Sequence, residues 1–193
     1  MTSMYGSDLT PYDHSFTYRV PDLPAKNNKL TFTSNSLIDL ISKEPQFSRF
    51  FFMIKLGSLA SMLDSYTSTY TIFVPTDDAF PFTDDVLINM DKYVAKETVL
   101  YHILPMKAPL SVLQSSNGMY LEPKINSSIN CKIMSKLAAN GTIVLNSNSN
   151  IVQGNIKATN GLIHVIDRIL IPPPFKNKFG DYLETERINV FQF

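Results

Sequence analysis

The stretch that decides the fold is Asn160–Pro172, NGLIHVIDRILIP, near the end of the 193-residue sequence. It opens on Asn-Gly, a pair that tolerates positive φ and is typical of a tight turn. The residues that follow, Leu162–Ile171, are rich in β-branched side chains, as in a central strand covered on both faces. Pro172–Pro174 end the run, because proline has no N–H to give to a sheet. We therefore predict that one buried strand here carries the core.

Two earlier segments make this strand part of a recognisable set. Thr71–Phe80, TIFVPTDDAF, combines a short buried strand, a proline and a capped helical turn. Val99–Pro105, VLYHILP, is the end of an apolar helix that carries the pair Tyr101–His102. In this order the segments resemble the fasciclin (FAS1) domain, with its first signature at Thr71–Phe80, its Tyr-His motif, and its second signature at Ala158–Pro172.

The order of the predicted elements agrees with that resemblance. Helical patterns come first and patterns of period two come later, which favours the α+β class. The first predicted helix is capped by Ser34 or Ser36 and ends at Ser42. The other predicted helices are Gln46–Leu56, Asp84–Asn89, Asp91–Ile103 and Pro109–Gln114. The strands predicted besides the central one are Tyr70–Val74, Met119–Leu121, Ile129–Leu137, Thr142–Asn146 and Ile151–Gln153. The resemblance implies a β-sandwich or wedge with helices packed against it.

The chain divides into one domain and two arms. We expect a fasciclin-like domain at residues 30–172, an extended N-terminal arm at 1–29 and a C-terminal tail at 173–193. Aromatic residues are scattered along the N-terminal arm, so an ordered arm must be held by its own domain or by a neighbour. The tail is too apolar to lie comfortably in water. It either folds back or docks on a partner, and the alternation over Ile188–Phe193 favours an added edge strand.

Composition excludes several classes of function. Seventeen basic and seventeen acidic residues give no net charge, which argues against a nucleic-acid partner held by bulk charge. No run of 18 apolar residues is present, so no membrane-spanning helix is predicted. Cys131 is the only cysteine, and we expect a small buried hydrophobe there rather than a reactive thiol.

The sequence leaves the location of the protein, extracellular or intracellular, open. The N-terminus has neither the basic nor the apolar region of a secretory signal. The resemblance implies an extracellular or cell-surface protein, whereas the missing signal favours an intracellular or viral particle. Sequons for N-glycosylation start at Asn126 and Asn140, and they matter only if the chain is secreted.

No pattern of catalytic or metal-ligating residues is present. His14, His102 and His164 are the three histidines, and none has a partner at the spacing of a zinc site. There is no nucleophile elbow and no Gly-rich phosphate loop. We therefore predict no enzymatic activity, no cofactor and no metal.

Four residues are candidates for binding. In proteins that the chain resembles, the Tyr-His pair, here Tyr101 and His102, is linked to adhesion, although a histidine at this place is also typical of a core imidazole bonded to the backbone. Some fasciclin domains carry an Asp-Ile adhesion pair just before the second signature. The matching positions here are Asn155 and Ile156. Asparagine lacks the carboxylate that metal-assisted integrin recognition needs, which argues against direct integrin binding.

The sequence thus predicts a non-enzymatic interaction or adhesion module that binds neighbouring proteins through its surface and its aromatic-rich arms. The alternative is a structural subunit of an intracellular or viral assembly, a minor capsid-like component with the domain as a rigid block. A small-ligand-binding protein is a third reading, and it requires a deep polar pocket.

Overall fold

A computed structural model describes residues 35–114, 118–126 and 131–190, with side chains as far as residue 183. The predicted N-terminal arm lies outside these residues. The helices are α1 (Leu37–Lys43), α2 (Ser48–Leu56), α3 (Ala60–Asp64), α4 (Asp84–Ile88), α5 (Lys92–Tyr101), α6 (Leu110–Leu113) and α7 (Lys176–Val190). The strands are β1 (Tyr70–Pro75), β2 (Ile103–Leu104), β3 (Met119–Leu121), β4 (Ile133–Leu137), β5 (Ile143–Leu145), β6 (Ser149–Ala158) and β7 (Gly161–Ile166).

The seven strands form one mixed sheet in the order β2-β1-β7-β6-β5-β4-β3. The predicted central strand is β7, although it ends at Ile166 and not at the predicted Ile171. It pairs in parallel with β1 from Tyr70↔Gly161 to Pro75↔Ile166. On its other side β7 pairs antiparallel with β6. All six residues of β7 and of β1 are buried. The α+β prediction and the central position of this strand are confirmed.

The sheet separates two apolar cores. Ile163 and Val165 face the helices, in a helix-side core that also contains Phe50 of α2 and Val94 of α5. Ile166 points to the opposite face, because successive side chains of a strand alternate. There it joins an inner core together with apolar residues of the strands that curl over it, namely Phe73, Leu121, Ile133, Ile143 and Leu145.

Short polar side chains fix where the helices begin. Ser36 forms a capping box with Asp39 at the start of α1. Asp91 accepts hydrogen bonds from two backbone N–H groups in the first turn of α5. Asp77, in the first signature, accepts from the N–H of Arg49 and from the Ser48 hydroxyl, so it caps α2 across the fold. The acidic residues therefore satisfy helix termini, and they tie α2 to the segment after β1.

The C-terminal tail differs from its prediction. The backbone is helical through Val190 in α7, so the edge strand expected over residues 188–193 is wrong as far as residue 190, and 191–193 lie outside the described residues. Phe175 and Phe179 are buried in the helix-side core. With Tyr182 they lie on one side of a helix, which favoured a helix over the weaker alternation further along. The start of the tail therefore folds back onto the domain.

Other element boundaries also differ from the prediction. Strand β6 runs over ten residues, because two bulges let it continue past the predicted end at Gln153. Helix α5 ends at Tyr101, and Ile103 instead belongs to β2, which pairs with β1. Strand β4 begins at Ile133, so Cys131 is buried just before the strand rather than within it.

Candidate functional site

His102 is an anchor inside the domain. Its side chain is fully buried, and both ring nitrogens are bonded to the backbone. Nε2 accepts a hydrogen bond from the N–H of Leu170 at 3.0 Å, so the proton lies on Nδ1, which donates to the Thr98 carbonyl oxygen at 2.7 Å. Burial lowers the pKa of His102 to about 4, although the bond to Thr98 opposes this. The imidazole is neutral and holds the end of α5 to the segment after β7.

Tyr101, one residue earlier, points into the inner core. Only 1% of its surface is exposed. Its hydroxyl donates to the carbonyl oxygen of Lys132 at 3.0 Å and accepts from Nδ2 of Asn146 at 3.0 Å. Oδ1 of Asn146 in turn accepts from the N–H of Met134. Tyr101 therefore fixes β4 and the turn after β5. Burial is the largest cause of its raised pKa, and the hydroxyl stays protonated.

Asn155 is the one of the four candidate residues that is exposed. It lies in the second bulge of β6 with a φ of 59°, a left-handed conformation that asparagine tolerates better than most residues. Its Oδ1 accepts from the N–H of Leu110 at 3.0 Å, which holds the first turn of α6. Ile156, the next residue, is buried and pairs with Ile163 of β7.

Beneath this bulge lies His164, which is buried in the middle of β7. Its Nδ1 accepts from the N–H of Asn155 at 3.2 Å, and its Nε2–H donates to the Ala108 carbonyl oxygen at 2.8 Å. Burial lowers the pKa of His164, which keeps it in the neutral form that can accept and donate at once. One imidazole thus fixes both the β6 bulge and the loop before α6.

These contacts build a small exposed area, which we call the bulge surface. It consists of Leu110 and Val112 of α6 with Val152, Gly154 and Asn155 of β6. Val152 is the extra residue of the first bulge, and 59% of its surface is exposed. A Cβ on Gly154 would lie 2.6 Å from the end of the Leu110 side chain, so a larger residue at this position would require Leu110 to move. A shallow hollow of about 200 Å³ lies between them.

The four predicted residues are therefore not one surface. Tyr101, His102 and Ile156 are buried and give a partner no side chain to touch, whereas Asn155 is exposed and part of the bulge surface. The sequence patterns did not reveal that His164 positions the bulge. The signal available was a single polar residue within an apolar strand.

Metal binding and membrane spanning have no support among the described residues. Within residues 35–114, 118–126 and 131–183, whose side chains are described, no three His, Cys, Asp or Glu side chains are close enough to hold a metal ion. Over the same residues no helix is both long and apolar enough to cross a bilayer.

Comparison with known proteins places this geometry in a family. The fasciclin domain family matches residues 45–172. Protein sll1483 of Synechocystis is 24% identical over 148 residues, which cover 74% of this chain and 77% of that protein. Human periostin is 26% identical over 147 residues, 71% of this chain but only 16% of periostin.

A solved structure shares the fold. It is a FAS1 domain pair from the insect cell adhesion molecule Fasciclin I, with a TM-score of 0.58 and 21% identity. The match covers 72% of this chain and 52% of that one. The sequence motifs, the family match over most of the chain and the shared fold agree, and the chain belongs to the fasciclin domain family.

Proposed function

We propose that this chain is a non-enzymatic adhesion-type module that binds a protein partner through the bulge surface. The observation that carries the proposal is the support given to Asn155 by buried His164. An exposed bulge that is held this firmly loses little conformational freedom when a partner binds, which favours affinity. The solved relative with this fold comes from a cell adhesion molecule, which agrees with the proposal.

The chemistry of the surface fits a protein partner better than a small ligand. Val112 and Val152 are exposed apolar side chains beside the polar Asn155. The hollow between α6 and β6 is small and open, whereas sites for small molecules are deep and enclose most of the ligand. Tyr101 and His102 contribute by holding the domain that carries this surface, not by contact.

The proposal does not assign partner binding to the start of the C-terminal tail. Phe175 and Phe179 pack into the chain's own core, so this part of the C-terminal tail is not available to a neighbour. Partner binding is therefore assigned to the bulge surface.

An attachment assay tests the proposal. Surfaces coated with the full chain, with Val152→Glu or with the control Ile88→Glu are compared for the number of cells they hold. Val152 and Ile88 have similar exposed fractions, 59% and 63%, but Ile88 lies on α4, outside the bulge surface. We expect Val152→Glu to abolish attachment and Ile88→Glu to leave it unchanged. Equal attachment by all three proteins would contradict the proposal.

The substitution Asn155→Asp examines the departure from the family's Asp-Ile pair. Aspartate tolerates a φ of 59° and keeps an oxygen for the N–H of Leu110, so stability should change by less than about 0.5 kcal/mol. The new carboxylate can bind a divalent cation together with a receptor. We expect attachment that depends on divalent cations and is lost with a chelator. Attachment identical to that of the unchanged chain would show that the position does not select the partner.

Sedimentation of native material, with the chain followed by mass spectrometry, separates the proposal from the structural-subunit alternative. Recovery at fixed stoichiometry in a large particle would replace the adhesion proposal by that alternative.

A further inference from the structure

The dipeptide Asn-Gly is the least chemically stable setting for an asparagine. Glycine has no side chain to keep its backbone nitrogen away from the neighbouring carboxamide. The sequence contains this dipeptide at Asn117, Asn140 and Asn160. Asn117 lies outside the described residues, whereas Asn140 is exposed and Asn160 is buried. The same dipeptide therefore occurs in two opposite environments within one fold.

The reaction open to such an asparagine is loss of its side-chain amide. At Asn140, the backbone nitrogen of Gly141 gives its proton to water or hydroxide and forms a bond to Cγ. The Cγ–Nδ2 bond then breaks, and Nδ2 takes up a proton and leaves as ammonia. Water adds to either carbonyl carbon of the resulting succinimide ring, which opens to aspartate or isoaspartate. Amide and water thus become acid and ammonia, with no oxidant or reductant.

The turn between β4 and β5 activates the carboxamide of Asn140. Its Oδ1 accepts a hydrogen bond from the N–H of Thr142 at 3.1 Å, the Asx-turn geometry that asparagine favours. Negative charge develops on this oxygen when the nitrogen attacks Cγ. A backbone donor already in place stabilises that charge, as in an oxyanion hole.

The attacking nitrogen is also within easy reach of solvent. The N–H of Gly141 donates to the carbonyl oxygen of Ala138 at 2.9 Å, and this bond must open before the nitrogen reacts. Gly141 is exposed, and a Cβ built on it would meet no atom within 4 Å beyond its chain neighbours. An exposed bond at the tip of a hairpin opens by local fluctuation while the strands stay paired. The reaction therefore does not require unfolding.

Asn160 is held in the opposite way. Only 3% of its surface is exposed. Its Oδ1 accepts from the N–H of Leu37 at 2.8 Å, and its Nδ2 donates to the carbonyl oxygens of Leu63 and Ser65 at 2.7 and 3.0 Å. Turning this carboxamide toward the nitrogen of Gly161 breaks these bonds inside the fold, where the freed groups find no water.

We propose that Asn140 is a site of spontaneous modification, which converts to aspartate and isoaspartate in the folded chain while Asn160 is protected. Gly141 and Thr142 line the same hollow as Val152 and Gly154, so the new carboxylate is formed beside the bulge surface. The modification itself does not depend on the proposed adhesion function.

Peptide mapping of the full chain tests the proposal. Samples are kept in mildly alkaline buffer, folded or unfolded in guanidinium chloride, and digested with trypsin. Cleavage after Lys136, Lys157 and Arg168 puts Asn140 and Asn160 in separate peptides. We expect similar conversion of both residues in the unfolded chain. In the folded chain Asn140 should convert at least about tenfold faster than Asn160. Equal rates in the folded chain, or an Asn140 that converts only when unfolded, would overturn the proposal.

Two variants assign the reaction to one residue of the peptide 137–157. Asn140→Gln blocks it, because a six-membered ring forms far more slowly than the succinimide. Asn148→Gln is the matched control, since Asn148 is exposed in the next turn of the same peptide. We expect isoaspartate in the unchanged chain and in Asn148→Gln, but not in Asn140→Gln. Isoaspartate that persists in Asn140→Gln, or aspartate formed without isoaspartate, would refute the proposed site or its route. Circular dichroism checks that both variants are folded.

Discussion

The two halves of the sheet differ in how many of their faces are covered. Around β7 and β1 both faces are covered, one by helices and the other by the curled strands, and every residue of these two strands is buried. In β4 and β5 the burial alternates, because only the inner face packs against a core. The difference explains their sequences, since two-faced burial permits a continuous apolar run and one-faced burial demands alternation.

Two neighbouring residues connect α5 to these two halves. His102 bonds to Leu170 and packs its ring against Phe50, at a centroid distance of 5.1 Å. Tyr101 turns the other way and bonds to Lys132 and Asn146, at the strands that are covered on one face. The fasciclin Tyr-His motif is therefore a joint between the halves. Substitutions on either side of it measure how much each half contributes.

The largest loss is expected for His102→Ala. The change leaves a cavity in the half of the sheet that is covered on both faces. It also removes the acceptor of the N–H of buried Leu170. Together these effects should lower the free energy of unfolding by about 3–4 kcal/mol. Urea unfolding at pH 7 measures this. A variant that unfolds at the same urea concentration as the unchanged chain would show that His102 is not an anchor.

The same imidazole makes the two-faced half sensitive to acid. The pKa of His102 is about 4 in the folded chain, below the ordinary 6.5 that it regains on unfolding. Between these two pH values the unfolded state binds more protons than the folded state. The stability that neutral His102 contributes is therefore fully present above pH 6.5 and is lost as the pH falls to 4. The loss amounts to about 3 kcal/mol. His164, with its pKa also lowered by burial, acts in the same direction.

Urea unfolding of the unchanged chain and of His102→Gln, at pH 7 and pH 4.5, isolates this effect. Glutamine does not titrate, whereas the carboxylates contribute equally to both proteins. We expect the variant to be less stable at pH 7 but to lose less stability on acidification. The same loss in both proteins would assign the acid sensitivity elsewhere.

A matched pair of valines compares the halves directly. Val165→Ala removes two methyl groups from the helix-side core and should cost about 2 kcal/mol. Val144→Ala makes the same change on the face of β5 that points away from the inner core, and it should cost less than about 0.5 kcal/mol because that face is only half-buried. Chemical denaturation of both variants measures the difference. A cost at Val144 that approaches the one at Val165 would show that both faces of β5 are packed as tightly as those of β7.

A smaller loss than at His102 or Val165 is expected for Tyr101→Phe. The ring still fills the inner core, but the carbonyl of Lys132 and the amide of Asn146 lose their shared partner. About 1 kcal/mol should be lost. Hydrogen exchange is the sharper measurement, because the amides of β4 should exchange faster while those of β7 stay protected. Uniformly faster exchange would mean that the halves open together.

Much of the fold could be predicted because, in β7 and at the helix starts, the local sequence pattern agrees with the tertiary environment. Asn160-Gly161 opens an apolar run whose strand residues, Gly161–Ile166, are all buried, and Ser36 and Asp91 mark true helix starts. The order of helices before strands then fixed the class.

The errors fall where tertiary contacts decide the local structure. The bulges of β6 depend on a hydrogen bond from Asn155 to His164 and on the fit of Gly154 against Leu110, neither of which is visible in a local pattern. Tyr93, next to buried Val94 in the first turn of α5, is largely exposed and touches Phe175 only edge-on. The bulge surface is made of such contacts, and the sequence could predict only its exposed asparagine.

The parallel pairing of β1 with β7 has a consequence for how the chain acquires its structure. The paired residues are about ninety positions apart, from Tyr70↔Gly161 onward. Contacts this distant in sequence close slowly, since the entropy of a long loop is lost before any packing is gained. On the ribosome, strand β1 must wait for Ile166 to emerge. Its apolar faces stay exposed meanwhile, and we expect nascent chains that stop before residue 161 to depend on chaperones.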